Sequence, residues 1–303
     1  MGKRGTALVL GAIALAMAAP SAQGATISKE ITSGVSGGDS YTNYVAARGE
    51  SNQIKVTIRG LRVTIVDRGA HGIKARSGCK RLTRVKATCK GDLARFAISA
   101  GDGNDRVDLR GHAKRNVCGG SRVATAEKMK SLMTVEPDEE GEEPFIGFPS
   151  SATFVDLGAG DDWVQTSCLG ETIADGTGSD TVQGNGSHDE VIAAPDGSDD
   201  RFELGGLTDG ISYARTTTPV AVDLAAGTAG PTGGTERDVL SGVEVVLGGS
   251  GADQITGTGE LEGFVGGGGD DHIDTGPGPD YVACQAGNDT VLPDPADLRD
   301  GCV

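Results

Sequence analysis

Aromatic side chains are scarce in this chain of 303 residues, with one Trp, 4 Tyr and 6 Phe, or 4% in all. That is too few for the single large close-packed core that a chain of this length would ordinarily bury. Positive charge is also in short supply. Lys plus Arg number 27 against 43 Asp plus Glu, and the resulting -16 argues against a general nucleic-acid binder. No apolar run reaches the roughly 20 residues of a membrane-spanning helix. The absence of any CxxC pair removes zinc knuckles and thioredoxin-type redox sites. No His is followed by Glu, so an HExxH zinc protease is excluded, and the sole Gly-Lys pair, Gly2-Lys3, stands at the N-terminus, which excludes a P-loop. The one GxSxG match, Gly34-Val35-Ser36-Gly37-Gly38, lies in a Gly/Ser-rich stretch without the strand-to-helix setting of a nucleophile elbow. The expectation is a protein that is not an enzyme.

Glycine, at 50 residues, is what the sequence has in excess, and no Gly-X-Y triplet runs through it, so collagen is excluded. Lys3 and Arg4, the apolar residues 7–19 and the small residues of Ala22-Gln23-Gly24 before Ala25 together read as a secretory signal peptide over residues 1–24. Removing its two cations leaves -18 on an exported chain. Six Cys suit an oxidising compartment but allow 15 connectivities. Proximity favours Cys79 with Cys89 and Cys284 with Cys302, leaving Cys118 with Cys168, although the sequence alone does not choose.

Residues 25–96 form an N-terminal β region. Ile54-Lys55-Val56-Thr57-Ile58 and Leu61-Arg62-Val63-Thr64-Ile65-Val66 alternate on either side of Arg59-Gly60, which reads as a hairpin with one buried face. Residues 55–95 hold twelve Lys or Arg against two Asp, a local +10 that leaves -28 on the rest of the exported chain. This segregation suits either a solvated β face or a surface for an anionic partner, such as a cell-envelope or other anionic polysaccharide. Residues 97–122 hold a first repeat segment, and residues 123–150 read as an exposed acidic insertion with a short helix over 124–133.

Gly-x-Gly-x-Asp units followed two residues later by an aliphatic recur along the chain. They comprise Gly101, Gly103, Asp105, Val107; Gly158, Gly160, Asp162, Val164; Gly176, Gly178, Asp180, Val182; Gly249, Gly251, Asp253, Ile255; Gly267, Gly269, Asp271, Ile273; and Gly276, Gly278, Asp280, Val282, with a worn copy at Gly287, Asp289 and Val291. Between residues 244 and 291 an acid and an apolar partner keep a nine-residue period through six units. Residues 162–191 keep it through four. Nine residues suit a turn plus a very short strand, and two units make an 18-residue coil, so carboxylates 18 residues apart converge on one edge. Stacked carboxylates repel, and a hard cation with oxygen ligands relieves them; calcium tolerates many oxygens in irregular geometry, whereas magnesium demands an octahedron.

These units resemble the hemolysin-type calcium-binding repeat, also called the repeat-in-toxin or RTX nonapeptide. The best matches are Gly248-Gly249-Ser250-Gly251-Ala252-Asp253 and Gly266-Gly267-Gly268-Gly269-Asp270-Asp271, and the resemblance covers residues 97–122 and 151–292. It implies an all-β chain with a right-handed parallel β-roll, a β-helix solenoid that binds Ca2+ in its turns. The 18-residue spacing places two calcium positions between Asp253, Asp271 and Asp289 and a third between Asp162 and Asp180. The opposite edge, with Glu244, Glu262 and Asp280, is expected to bind poorly, because the turn before Glu262 has Thr258 and Glu260 where glycines belong. Asp105 has no partner at the required spacing. Proteins with such repeats commonly leave the cell through a C-terminal signal, but here an N-terminal signal is present, and residues 293–303 with Cys302 read as a cap.

The four His, at 71, 112, 188 and 272, are scattered, and Trp163 stands alone. The leading expectation is a secreted or cell-surface calcium-binding protein, without a membrane span or a nucleic-acid partner, with an adhesive or cell-surface role. An alternative is a secreted polysaccharide-acting enzyme using acidic residues on a β-helix scaffold. A third reading is a metal-independent solenoid held by disulfides.

Overall fold

The computed structural model describes residues 24–31, 40–59, 62–90, 96–111, 125–133, 153–292 and 294–302. Residues 1–23 of the expected signal peptide, the GxSxG match, the acidic run of the insertion, His112 and Cys118 lie outside them. The described chain is almost entirely β, and it divides into two compact units, residues 1–118 with 150–185 and residues 119–149 with 186–303. Both are β-rolls, in which short strands alternate between two sheets.

In the first unit, Ser40–Val45, Phe96–Ser99, Thr153–Asp156 and Glu171–Ala174 pair in parallel to form one sheet. Gln53–Arg59, Arg106–Gly111, Trp163–Gln165 and Thr181–Gln183 form the other. Such three- to seven-residue strands cannot each bury much. Every one therefore sends a central apolar side chain inward, and Tyr44, Ile98, Val155 and Ile173 from one sheet meet Ile54, Val107, Val164 and Val182 from the other, all buried. The core is thus a column of single side chains, which explains how so few aromatics suffice. Two antiparallel additions flank the roll. Thr26–Ile31 pairs with Ser40–Val45, and the expected hairpin of Gln53–Arg59 with Arg62–Asp67 continues into Lys86–Lys90 and Cys79–Thr83. The last two strands are stapled by Cys79–Cys89.

The second unit repeats the design. Glu190–Ile192, Gly210–Ser212, Val245–Leu247, Gly263–Gly268, Tyr281–Ala286 and Leu298–Asp300 form a parallel sheet whose inward column includes Val191, Ile211, Val246, Phe264 and Val282. Opposite run Gln254–Thr256, His272–Asp274 and Thr290–Leu292. Val220–Asp223 and Thr228–Pro231 form an antiparallel hairpin inserted between the parallel strands Asp238–Ser241 and Gln254–Thr256, which lengthens the coil from Asp200 to its partner Asp238. The coil goes on around it. Cys284–Cys302 ties the C-terminal strand back to its neighbour.

One expectation is corrected. The helix, Ala126–Met133, begins two residues later than expected, after Thr125, whose hydroxyl accepts the Lys128 N–H as an N-cap. It is not an exposed ornament. Met129 and Met133 are buried against Val245, Leu247, Val265, Tyr281 and Ala283, the outward side of the second unit's parallel sheet. Gly263 permits the approach, since a Cβ there would sit 2.3 Å from the Met133 sulfur.

Candidate metal centre

Successive glycine-rich turns lie directly on one another, Gly158 on Gly101, Gly176 on Gly158 and Gly267 on Gly249. Gly176, at φ +100°, rests so close on Gly158 that an added Cβ would stand 1.9 Å from its carbonyl oxygen, and Gly267, at φ +94°, sits likewise 2.1 Å from that of Gly249. Only glycine satisfies both the left-handed backbone and the contact. Carbonyl oxygens are therefore stacked at the turn edge, one coil spacing apart.

The carboxylates that follow are stacked too, and the geometry repeats. The N–H of Asp162 donates to Asp180 Oδ1 at 2.8 Å, that of Asp253 to Asp271 Oδ1 at 2.8 Å, and that of Asp271 to Asp289 Oδ1 at 3.0 Å. One oxygen of each acceptor is thus committed to the backbone. The other oxygen distinguishes the turns. In Asp162 and Asp271, Oδ2 is buried with no hydrogen-bond partner. Burial raises both carboxyls to about 7, aided at Asp271 by the charges of Asp253, Asp289 and Asp270, against the lowering effect of backbone N–H donors. Asp253 differs, because its Oδ1 accepts from Val220 N–H and its Oδ2 from Gly249 N–H. It begins its column, lying under the non-repeat segment at Thr216, to which Gly249 and Ser250 are held. Gly251 packs against Pro219, and Gly269 stacks on Gly251.

Asp105 requires a correction. Its partner is Asp162, 57 residues on, whose Oδ1 accepts the Asp105 N–H at 2.6 Å. The insertion between them hides the spacing. Asn52 stands one coil earlier and donates both its backbone N–H, at 2.5 Å, and its amide, at 3.0 Å, to Asp105 Oδ1. Asp105 Oδ2 is buried and unpartnered, and burial together with Asp162 pushes the carboxyl up to about 8. The first unit's column is therefore Asn52, Asp105, Asp162 and Asp180. Asp209, Asp238 and Asp297 are further column members that a fixed nine-residue count misses, for they accept the N–H groups of Asp189, Asp200 and Asp280.

The opposite edge solves the same problem with side chains. Glu171 accepts the backbone N–H and the hydroxyl of Ser167, and Glu262 accepts those of Thr258, at 2.9 and 2.5 Å. In each a hydroxyl residue four positions before the acid takes the place of the first glycine. Asp280 is the exception on that edge, with glycines before it, Oδ1 accepting the Glu262 N–H at 2.8 Å, an unpartnered buried Oδ2, and a carboxyl raised to about 7 by burial.

Chemically, stacked carboxylates about 5 Å apart repel by about 3 kcal/mol at the effective dielectric of a protein. Among the described residues no three His, Cys, Asp or Glu side chains converge on a point, so a cation here would draw on the turn carbonyls as well as the carboxylates. Such a donor set is all oxygen, which suits calcium and not zinc. The remaining singled-out residues do other things. Trp163 is covered by the Arg106 guanidinium, 3.4 Å from its ring centre, His71 bonds Glu50, and His188 bonds the Thr208 carbonyl.

Fold and turns define a nonapeptide-repeat β-roll. The family model for the RTX calcium-binding nonapeptide repeat matches the chain in four copies, over residues 170–195, 238–259 and 264–292. The chain carries RTX repeats, and it is a calcium-binding repeat protein. No curated protein matches it.

Proposed function

We propose that this is a secreted, non-enzymatic protein whose β-rolls are ordered by calcium held between stacked Gly-x-Gly-x-Asp turns. The observation that carries the reading is the set of buried, unpartnered Oδ2 atoms of Asp105, Asp162 and Asp271, each at an edge of stacked glycine carbonyls. Asp162 with Asp180, and Asp271 with Asp253 and Asp289, would hold the ions together with turn carbonyls. Asp105 over Asp162 adds a position, and Asp280 a further one beside Glu262 and Asp297. The bound ion would supply positive charge at Asp105, Asp162, Asp271 and Asp280, none of which has an ion pair among the described residues. Ligand binding confined to the folded state stabilises it by RT ln(1 + [L]/Kd), about 1.4 kcal/mol per site at tenfold excess over Kd. Extracellular calcium near the millimolar scale matches modules with Kd of about 10⁻⁴ to 10⁻³ M. Such a chain stays loose inside the cell and orders after export.

The finer reading places it outside the cell through the signal at residues 1–24, in a cell-surface or adhesive role with an anionic envelope polysaccharide as partner. Segregation of the basic residues 55–95 from an acidic remainder supports it. The test of the main reading is a calcium titration of the oxidised chain from the chelated state, followed by far-UV circular dichroism and Trp163 emission. A cooperative gain of β signal at sub-millimolar to millimolar calcium, diminished in Asp271→Ala and not reproduced by magnesium, is expected. An unchanged β spectrum throughout would overturn it.

A further inference from the structure

The four-stranded antiparallel extension of the first unit has two unlike faces. Ile54, Val56, Val63, Ile65, Ala87 and Cys89 are buried on one. Strand alternation puts Lys55, Arg59, Arg62, Lys86 and Lys90 on the other, and the register lines them up. Arg59 stands opposite Arg62 and Arg62 opposite Lys90; two rows away along the strands, Val66 lies between Lys55 and Lys86. Thr57, Thr64 and Thr88 form the row between, with the Thr64 and Thr88 hydroxyls 3.2 Å apart. Lys80, opposite Thr88, adds a cation on the edge strand.

Like charges directly opposite one another cost a sheet about 0.2–1 kcal/mol per pair. The fold gains nothing back from the row of Arg59, Arg62 and Lys90: none of the three, nor Lys80 or Lys86, forms an ion pair with a described residue, and only Lys55 has one, to Asp108 at 3.4 Å. Neighbouring cations in the row of Arg59, Arg62 and Lys90 are about 5 Å apart, Lys55 and Lys86 about 10 Å, and the two rows about 13 Å. The geometry points to this face as the docking surface for a linear, carboxylate-bearing polysaccharide lying across the strands. This rests on the reading of the chain as exported and deepens its surface role. Arginines pair carboxylates bidentately, while Thr88 in the row between is buried, its hydroxyl donating to the Val63 carbonyl at 2.8 Å, so the cations are what the face offers. A nucleic acid fits less well, because the large apolar side chains exposed among the described residues are Leu82, Leu169, Val239 and Leu292, with no aromatic for a base to stack on. The same poverty of apolar anchors disfavours a bilayer.

The test is binding of labelled hyaluronate to the exported chain at saturating calcium and physiological salt. Combined Arg59→Glu, Arg62→Glu and Lys90→Glu should weaken binding at least about tenfold. Arg68→Glu, Arg76→Glu and Arg84→Glu, the same charge change outside the strands, should alter it less than about twofold. A Gln triple at the first three positions guards against misfolding and should still lose severalfold. Equal loss in both Glu triples, or loss in neither, overturns the surface, as does tighter binding of an oligothymidylate or of phosphatidylserine vesicles than of hyaluronate. An intact calcium response without hyaluronate binding overturns this surface alone. Binding without any calcium response overturns the calcium reading and leaves the surface standing.

Discussion

Two kinds of turn close the coils of each β-roll, and they answer the same electrostatic problem differently. At the Gly-x-Gly-x-Asp turns of Asp105, Asp162, Asp271 and Asp280 the acid spends one oxygen on a backbone N–H and leaves the other buried and bare, whereas Asp253, at the start of its column, has both oxygens bonded. At Ser167 and Thr258 a hydroxyl and its own N–H clasp the longer Glu carboxylate, so the turn is complete without a ligand. Replacing Asp by Glu and the first glycine by a hydroxyl residue thus converts a turn that needs a cation into one that does not. A roll alternating the two would keep part of its frame when calcium is withdrawn.

The largest effect should come from the stacking itself. Gly176→Ala places a methyl within 1.9 Å of a fixed carbonyl at φ +100°, whereas Gly197 has φ +96° and nothing within 4 Å. Thermal or denaturant unfolding in calcium should show a loss of about 4 kcal/mol for the first and about 1 kcal/mol for the second. Equal losses would mean that the coils are not in contact at their turns. Next comes the ligand. Asp271→Asn should raise the calcium concentration at half-saturation about tenfold, a loss of about 1.4 kcal/mol, and Glu262→Gln should leave it within about twofold. Calorimetric titration separates the two, and a larger effect of Glu262 would reverse the assignment of the edges.

Protons offer a third comparison. Without a cation, Asp162, Asp271 and Asp280 lie near 7, held above the ordinary 3.8 chiefly by burial. The folded state therefore keeps protons that the unfolded chain releases, so their contribution to stability is full below about pH 4 and is lost as pH rises through about 7. In chelator, the melting temperature should fall between pH 5 and 8. Calcium, by taking the proton's place, should remove that fall. Parallel curves with and without calcium would contradict it. The smallest effect belongs to Thr258→Val, which deletes one hydroxyl donor to Glu262 and should cost about 1 kcal/mol, equally in chelator and in calcium.

The β-roll and its inward column were legible because period and chemistry coincide: Ile255, Ile273 and Val291 follow their acids at a fixed distance, and the strands pair in that register. Where an insertion falls within a coil, counting fails. Asp105 meets Asp162 only after a 57-residue detour, and the hairpin Val220–Asp223 with Thr228–Pro231 puts Asp200 and Asp238 38 residues apart. The helix docking was hidden for another reason. Val245, Val246 and Leu247 form an unbroken apolar run, so nothing in the pattern separates Val246, which faces the core, from the two neighbours that face Met129 and Met133.

Amide hydrogen exchange, resolved to single turns with and without calcium, bears on the contrast between them most directly. The expected result is strong calcium-dependent protection at the N–H groups of Asp162, Asp253 and Asp271, with Ser167 and Thr258 protected alike in both conditions. Protection that rises uniformly at both kinds of turn, or at neither, would contradict it.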